Sequence, residues 1–172
     1  MTTITKSTTA DSILLSQLGK QTFIESHGHS ASKADIDSYV AKNYTPEFFQ
    51  AELEDEKNIY HIIYNNNTPA GFSKIILDHS HPLIAKPNVT KLERIYILKR
   101  YYNLKLGAKL FRFNLQLSKD NQQSGMWLFV WKENSRAIRF YNKKGFRIIG
   151  SHDFKISETH SNPNHLMYLE YT

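Results

Sequence analysis

The chain contains no cysteine. That excludes a disulfide framework, a thiolate nucleophile and a cysteine-built zinc site. It also has no apolar run approaching the ~18 residues expected of a membrane-spanning helix. The opening residues, Met1-Thr2-Thr3-Ile4-Thr5-Lys6, do not pair a basic segment with an apolar stretch, so no signal peptide is expected. The expectation is a cytoplasmic protein with no membrane partner. Glycine and proline are sparse, at 7 and 5 residues, and no repeat, low-complexity tract or linker breaks the chain. What is present is 172 residues, 40% hydrophobic and 13% aromatic. That suffices for one compact domain over 1–172 with its own core. The formal net charge is +6. A basic balance suits anionic partners such as a phosphorylated small molecule or nucleic acid. No helix-turn-helix, zinc-finger or RNP signature supports nucleic acid, and none is expected as a partner.

Residues 2–8 read as a short strand, and Asp11 to about His27 as a helix with Leu14, Leu15, Leu18 and Phe23 on its apolar stripe. Ser32 opens a second helix and Thr45-Pro46-Glu47 a third, each by a capping side chain. Asn58–Tyr64 and Ala70–Leu77 form a hairpin around Asn65–Pro69. A polar loop over 78–89 precedes a strand at Thr90–Leu98. Leu106, Leu110, Phe113 and Leu117 fit a helix from Leu104 to about Asn121, although 111–117 also alternates. Gly125–Trp131 is a continuous apolar run, as in a strand buried on both faces. Asn134 then caps a helix that ends at Gly145, and strands follow at Arg147–Phe154 and His165–Tyr171.

The segment from Leu92 to Phe146 is the most informative. A strand runs through a loop into a helix whose first backbone N–H groups have no intrahelical partner, which makes an anion site. Lys99, Arg100, Lys105, Lys109 and Arg112 cluster around it. Asn134-x-x-Ala137-x-x-Phe140-Tyr141-x-x-x-Gly145-Phe146 and Leu106-Gly107-Ala108 together resemble the GNAT family of N-acetyltransferases. In that family the loop reads Gln/Arg-x-x-Gly-x-Gly/Ala. Here Tyr102 and Lys105 stand at the first two signature positions, and both depart. In length and order of elements the chain is similar to the small-molecule and polyamine acetyltransferases of the group.

The resemblance implies an α/β fold with a mixed, mostly antiparallel sheet, helices on both faces and a splayed central parallel strand pair. It implies an acetyl-CoA-binding core at about 90–146. Pantetheine would bond the backbone of Ile95, Tyr96 and Ile97, and pyrophosphate the N–H groups of Asn103, Leu104, Lys105, Leu106, Gly107 and Ala108. Lys105 would add an ammonium charge, and Asn134 a hydrogen bond beyond its cap. Tyr141 is the candidate general acid, because a phenol with a pKa near 10 is protonated at neutral pH. Its alternative is a core aromatic.

Alternation places Glu93, Ile95 and Ile97 on one strand face. Glu93 resembles the family glutamate that positions or deprotonates the amine; its alternative is a strand-end charge paired with Arg94 or Lys91. Glu25 and His27 are candidates for the acceptor side. The His27-Gly28-His29 and His79-Ser80-His81 pairs have no acidic companions on a firm element, so no metal is expected. The implied reaction is acetyl transfer from acetyl-CoA to a primary amine of a small molecule, polyamines included, by direct attack. The alternatives are a protein acceptor, or an acyl-CoA-sensing module without turnover. A homodimer is compatible with this reading.

Overall fold

The computed structural model describes residues 1–172. Seven strands form one mixed sheet in the order β1-β2-β3-β4-β5-β7-β6. The strands are β1 (Thr2–Lys6), β2 (Ile59–Asn65), β3 (Thr68–Ile76), β4 (Val89–Ile97), β5 (Gly125–Trp131), β6 (Arg147–Lys155) and β7 (Ser161–Glu170). The α-helices are α1 (Ser12–His27), α2 (Lys33–Asn43), α3 (Pro46–Glu54), α4 (Leu106–Asp120) and α5 (Ser135–Lys143). Short 3-10 segments lie at Thr9–Asp11 and Lys99–Leu104. No helix is long and apolar enough to cross a membrane. Two compact units are distinguished, Met1–Ile75 with Arg94–Asn114, and Ile76–Glu93 with Leu115–Thr172.

In the first unit the caps fix where helices begin. Ser32 Oγ accepts from Asp35 N–H (3.1 Å) and Thr45 Oγ1 from Phe48 N–H (3.1 Å). Each satisfies a donor that the helix itself cannot. The β2–β3 turn is tighter than the sequence predicts. Only Asn66 and Asn67 lie outside the strands, both left-handed at φ 49° and 62°. This is the two-residue hairpin geometry that asparagine tolerates. Pro69 is taken into β3 opposite Tyr64, where a register shift follows Ile63.

Helices cover both faces of this part of the sheet. Phe72 packs edge-on against Phe49 of α3, while Ser73, the next residue, accepts a hydrogen bond from Asn114 Nδ2 of α4 (2.8 Å). Phe49, Tyr60 and Phe72 are fully buried on the α3 side. On the α4 side Ile63, Ala70, Leu106 and Leu110 form a core against which Ile95 and Ile97 pack. The helical period therefore wins over the alternation of 111–117. An ion pair between Lys74 and Glu52 (2.5 Å) ties β3 to α3, with the Tyr60 hydroxyl donating to the same carboxylate oxygen (2.7 Å).

The second unit is built on β5, β7 and β6, paired antiparallel in that order. Its core joins Ile84, Val89, Trp127 and Leu166. β4 runs parallel to β5 over Val89↔Gly125, Thr90↔Met126 and Lys91↔Trp127. Buried polar groups close the β3–β4 loop: Gln123 exchanges two hydrogen bonds with Asp78 (2.9 Å each), and Thr90 meets Ser118 at 2.6 Å. β7 begins at Ser161 rather than His165. Its first residues, Asn162-Pro163-Asn164, have weak strand propensity but pair with β6, so tertiary pairing overrides propensity.

Candidate active site

The chain leaves β4 under close control. Leu98 N–H donates to Ala70 O (2.9 Å), and Tyr101 N–H donates to Leu98 O (2.8 Å). Between them, Lys99 N–H donates to Glu25 Oε2 of α1 (2.7 Å). Residues 99–104 then form a single 3-10 stretch, which the sequence did not reveal. Lys105 follows in the left-handed conformation, φ 57° and ψ 19°. Its carbonyl accepts the first hydrogen bond of α4, from Lys109 N–H (3.1 Å). The N–H groups of Leu106, Gly107 and Ala108 precede that bond and so have no partner within the helix.

The positive φ required here falls on Lys105 and not on Gly107, because Gly145 is the glycine with that conformation. A Cβ on Gly107 would meet one atom, Ile97 Cγ1, at an ordinary 3.5 Å. Close helix packing therefore does not explain the glycine. Leu106 is buried, whereas Asn103, Leu104 and Lys105 are exposed at the helix start. Lys99, Arg100, Lys109 and Arg112 are exposed as well. The loop can thus offer an anion both backbone donors and cations. Just upstream, Ile95 and Ile97 face α4, while the Tyr96 ring turns to the other side, against Phe72 (5.9 Å) and His27 (6.2 Å).

The acceptor candidates on α1 have protein partners of their own. Glu25 takes Lys99 N–H on one oxygen and Gln21 Nε2 (3.1 Å) on the other. His27 stacks on Phe23 (5.2 Å), and its Nδ1 lies 2.7 Å from Ser26 Oγ. Burial, aided by the nearby His29, lowers its pKa to about 4, so the ring is neutral at pH 7. Around them Tyr39, Tyr44, Phe48 and Phe49 form an aromatic group, and the Arg94 guanidinium lies over Tyr44, Phe48 and Phe49 at 5.4 to 5.7 Å. Arg94 among these rings was not singled out from the sequence. The rings lie some 45 positions away along the chain, and no local spacing links them to β4.

In the second unit Glu93 is ion-paired with Lys91 (3.1 Å). The Lys91 ammonium also lies over the rings of Trp127 (5.2 Å) and Phe129 (5.7 Å). The two residues are neighbours on one face of the strand, as alternation requires. Thr90 bonds Ser118 of α4, so Lys91 and Glu93 turn away from that helix. Ile95 and Ile97 pack toward Leu106 and Leu110 of α4.

Asn134 Oδ1 accepts from Ala137 N–H (3.1 Å) and opens α5 as its cap. Tyr141 is buried, with 7% of its surface exposed. Its position is set by the end of α5. Phe146 N–H donates to Tyr141 O (3.1 Å), Gly145 N–H to Asn142 O (3.0 Å), and Gly145 is left-handed at φ 92°. This is a Schellman end, and its apolar contact is Phe146 against the Tyr141 ring (5.4 Å).

The sequence profile of the acetyltransferase (GNAT) family matches residues 23–146. The chain belongs to the GNAT family. It is therefore an acyltransferase, with acetyl-CoA as its co-substrate. An uncharacterised N-acetyltransferase of Lactobacillus delbrueckii subsp. lactis is 25% identical over 141 residues, covering 82% of each chain. Another, from Mycobacterium tuberculosis, is 27% identical over 127 residues, 74% of this chain and 77% of the relative. Among solved structures, the PaiA N-acetyltransferase of Thermoplasma acidophilum in complex with coenzyme A superimposes with a TM-score of 0.78 at 19% identity, over 99% of both chains. The ribosomal-protein-S18-alanine N-acetyltransferase of Escherichia coli does so with a TM-score of 0.72 at 16% identity, over 99% of this chain and 94% of the other. These likenesses establish the GNAT fold. They do not fix the acceptor, which must be argued from this chain's own residues. No three or more histidine or acidic residues stand together as a metal site.

Proposed function

We propose that this GNAT enzyme acetylates the primary amine of a small molecule by direct attack on acetyl-CoA. The observation that carries the reading is the strand-to-helix turn after β4. Left-handed Lys105 leads into a helix start whose glycine has no packing reason of its own. That fits a phosphate brought close to backbone N–H groups. The pyrophosphate would lie against residues 103–108, and the pantetheine along the backbone of Ile95, Tyr96 and Ile97. Asn134 would add one hydrogen bond from the start of α5. Lys105, exposed at the turn, would place its ammonium on a phosphate oxygen.

The reaction requires a neutral amine and a proton for the departing sulfur. The amine nitrogen forms a bond to the thioester carbonyl carbon, and the carbon–sulfur bond breaks. The Tyr141 phenol would give its proton to the thiolate and recover one from solvent. Glu93, aimed by Lys91, would hold the amine and accept its surplus proton, directly or through water. No covalent acyl-enzyme is required, consistent with a chain that has no cysteine.

The first three helices offer neutral His27 and an aromatic group, and β4 adds the Arg94 charge over those rings. These suit an amine with an aromatic body or a carboxylate better than a bare polycation. The test is CoA release with a panel holding tyramine, amino acids, spermidine and a lysine peptide, after calorimetry with acetyl-CoA. Turnover should be highest for the aromatic and carboxylate-bearing amines. A preference for spermidine would restore the polyamine reading. Preference for the peptide would make the acceptor a protein. Acetyl-CoA binding without turnover on any amine would point to a sensor.

A further inference from the structure

Glu25 lies on α1, yet one of its carboxylate oxygens is spent on the backbone of the loop that follows β4. We infer that Glu25 is a positioning residue for the co-substrate loop rather than a contact of the acceptor. The inference rests on the reading of residues 103–108 as the phosphate cradle.

A 3-10 segment, like any helix, begins with N–H groups that find no carbonyl within it. Lys99 is the first residue of the segment 99–104, and its N–H is such a donor. Glu25 Oε2 accepts it at 2.7 Å, the length of a charge-assisted bond. The other oxygen is held by Gln21 Nε2 one turn earlier on α1, which fixes the carboxylate's direction.

The loop has few other fastenings. Leu98 is pinned by its N–H to Ala70 O and by full burial. Tyr101 packs against the core of Ile63, Ala70, Leu106 and Leu110, with Arg100 over its ring. Beyond Tyr101, Asn103, Leu104 and Lys105 are exposed. The path from Lys99 to left-handed Lys105 sets where the free N–H groups of α4 point. Releasing its first residue lets the whole segment shift, and a cradle must be held to within a fraction of an ångström to work.

The same bond joins α1 to the strand end, so residues that line α1 and the loop are held in one frame. Each oxygen of the carboxylate is committed to one protein donor, so its orientation is set by α1 and the loop before any acceptor amine arrives.

The test measures CoA affinity by calorimetry, which requires no knowledge of the acceptor. Glu25→Ala should weaken CoA about tenfold, the loss of one charge-assisted hydrogen bond. Glu25→Gln keeps an oxygen that can accept from Lys99 N–H and should stay within about threefold of wild type. A cycle at the donor supplies the second arm. Lys99→Ala removes the side-chain charge, and Lys99→Pro also deletes the N–H at a position where proline suits a helix start. Proline should weaken CoA relative to alanine when Glu25 is present and add nothing in the Glu25→Ala background.

Equal CoA affinity in wild type and Glu25→Ala, or additive losses in the cycle, would overturn the inference while leaving the cradle intact. Wild type that fails to bind CoA would instead defeat the reading of residues 103–108. Should Glu25→Ala not fold, the Lys99→Ala to Lys99→Pro comparison and the Glu25→Gln variant still decide.

Discussion

A lysine at φ 57° carries a steric cost of roughly 1–2 kcal/mol that glycine would avoid. At Lys105 that cost is borne beside a helix start, which fits a side chain retained for its charge. Lys105→Gly should therefore raise apo stability by about 1 kcal/mol and weaken CoA, with a smaller salt dependence of the dissociation constant. Lys105→Ala should weaken CoA without the gain in stability. If neither variant alters CoA affinity, the ammonium faces solvent only. Gly107 is the reverse case, because its space is open and its backbone is ordinary helix. Gly107→Ala should stabilise the apo protein by ~0.5–1 kcal/mol, since alanine is the better helix former. It should nonetheless weaken CoA by crowding the phosphate, and a stabilised variant with unchanged affinity would show that nothing approaches this backbone. Tyr141→Phe removes only a hydroxyl from a buried ring. Folding and CoA binding should hold, while kcat falls roughly 10²–10⁴-fold. A rate within about threefold of wild type, with chemistry limiting, would leave Tyr141 as a core aromatic.

The element that carries Tyr141 is short, and both of its ends are secured. Asn134 caps the start, and Gly145 allows the left-handed end that returns Phe146 to the Tyr141 ring. Gly145→Ala forces a side chain into φ 92°, with its Cβ 3.3 Å from Leu169 Cδ1. A loss of about 1 kcal/mol or more in urea unfolding is expected, together with a kcat that falls more than CoA affinity does. Unchanged kcat would separate the helix end from the chemistry. This element was legible in the sequence because its signals are local: an N-cap, a glycine and an aromatic four residues before that glycine. The caps of α2 and α3 were legible for the same reason. The run 99–104 was not, since its hydrogen bonds are completed by Ala70 and Glu25, far away in the chain. The pairing of Glu93 with Lys91 was legible as well, since two residues apart on a strand share a face.

At the scale of the whole molecule, the pH dependence of stability follows from histidines that fold away neutral. His61 is 4% exposed on β2, edge-on to Phe113 of α4 at 4.7 Å. Burial, with help from the Lys6 charge, lowers its pKa to about 4. His27 is lowered to about 4 as well, by burial and then His29. For His81, burial, His152 and Lys91 act in the same direction. In the unfolded chain each of these rings takes a proton near pH 6.5. Folded His27 and His61 refuse it until about pH 4, so over that interval the unfolded state binds more protons. Stability is then full above pH 6.5, falls as the pH drops, and levels off for these groups below about 4. His27 and His61 each contribute a slope of up to ~1.4 kcal/mol per pH unit. Urea unfolding between pH 5 and 8 isolates this effect, because ordinary carboxylates titrate mainly below that range. His61→Leu replaces the ring with an apolar group that can remain among the β2 and α4 side chains. It should flatten the acid slope by about one proton's worth, up to ~1.4 kcal/mol per pH unit, while altering stability at pH 8 far less. The His27→Leu variant should do the same independently, and the two slopes should add, since the histidines lie on different elements, one beside Phe23 and His29 and the other beside Lys6 and Phe113. If the slope between pH 5 and 6.5 is the same in His61→Leu as in wild type, the buried ring is protonated in the folded state. The β2–α4 contact would then have to accommodate a charge that its Lys6 and Phe113 surroundings are built to exclude.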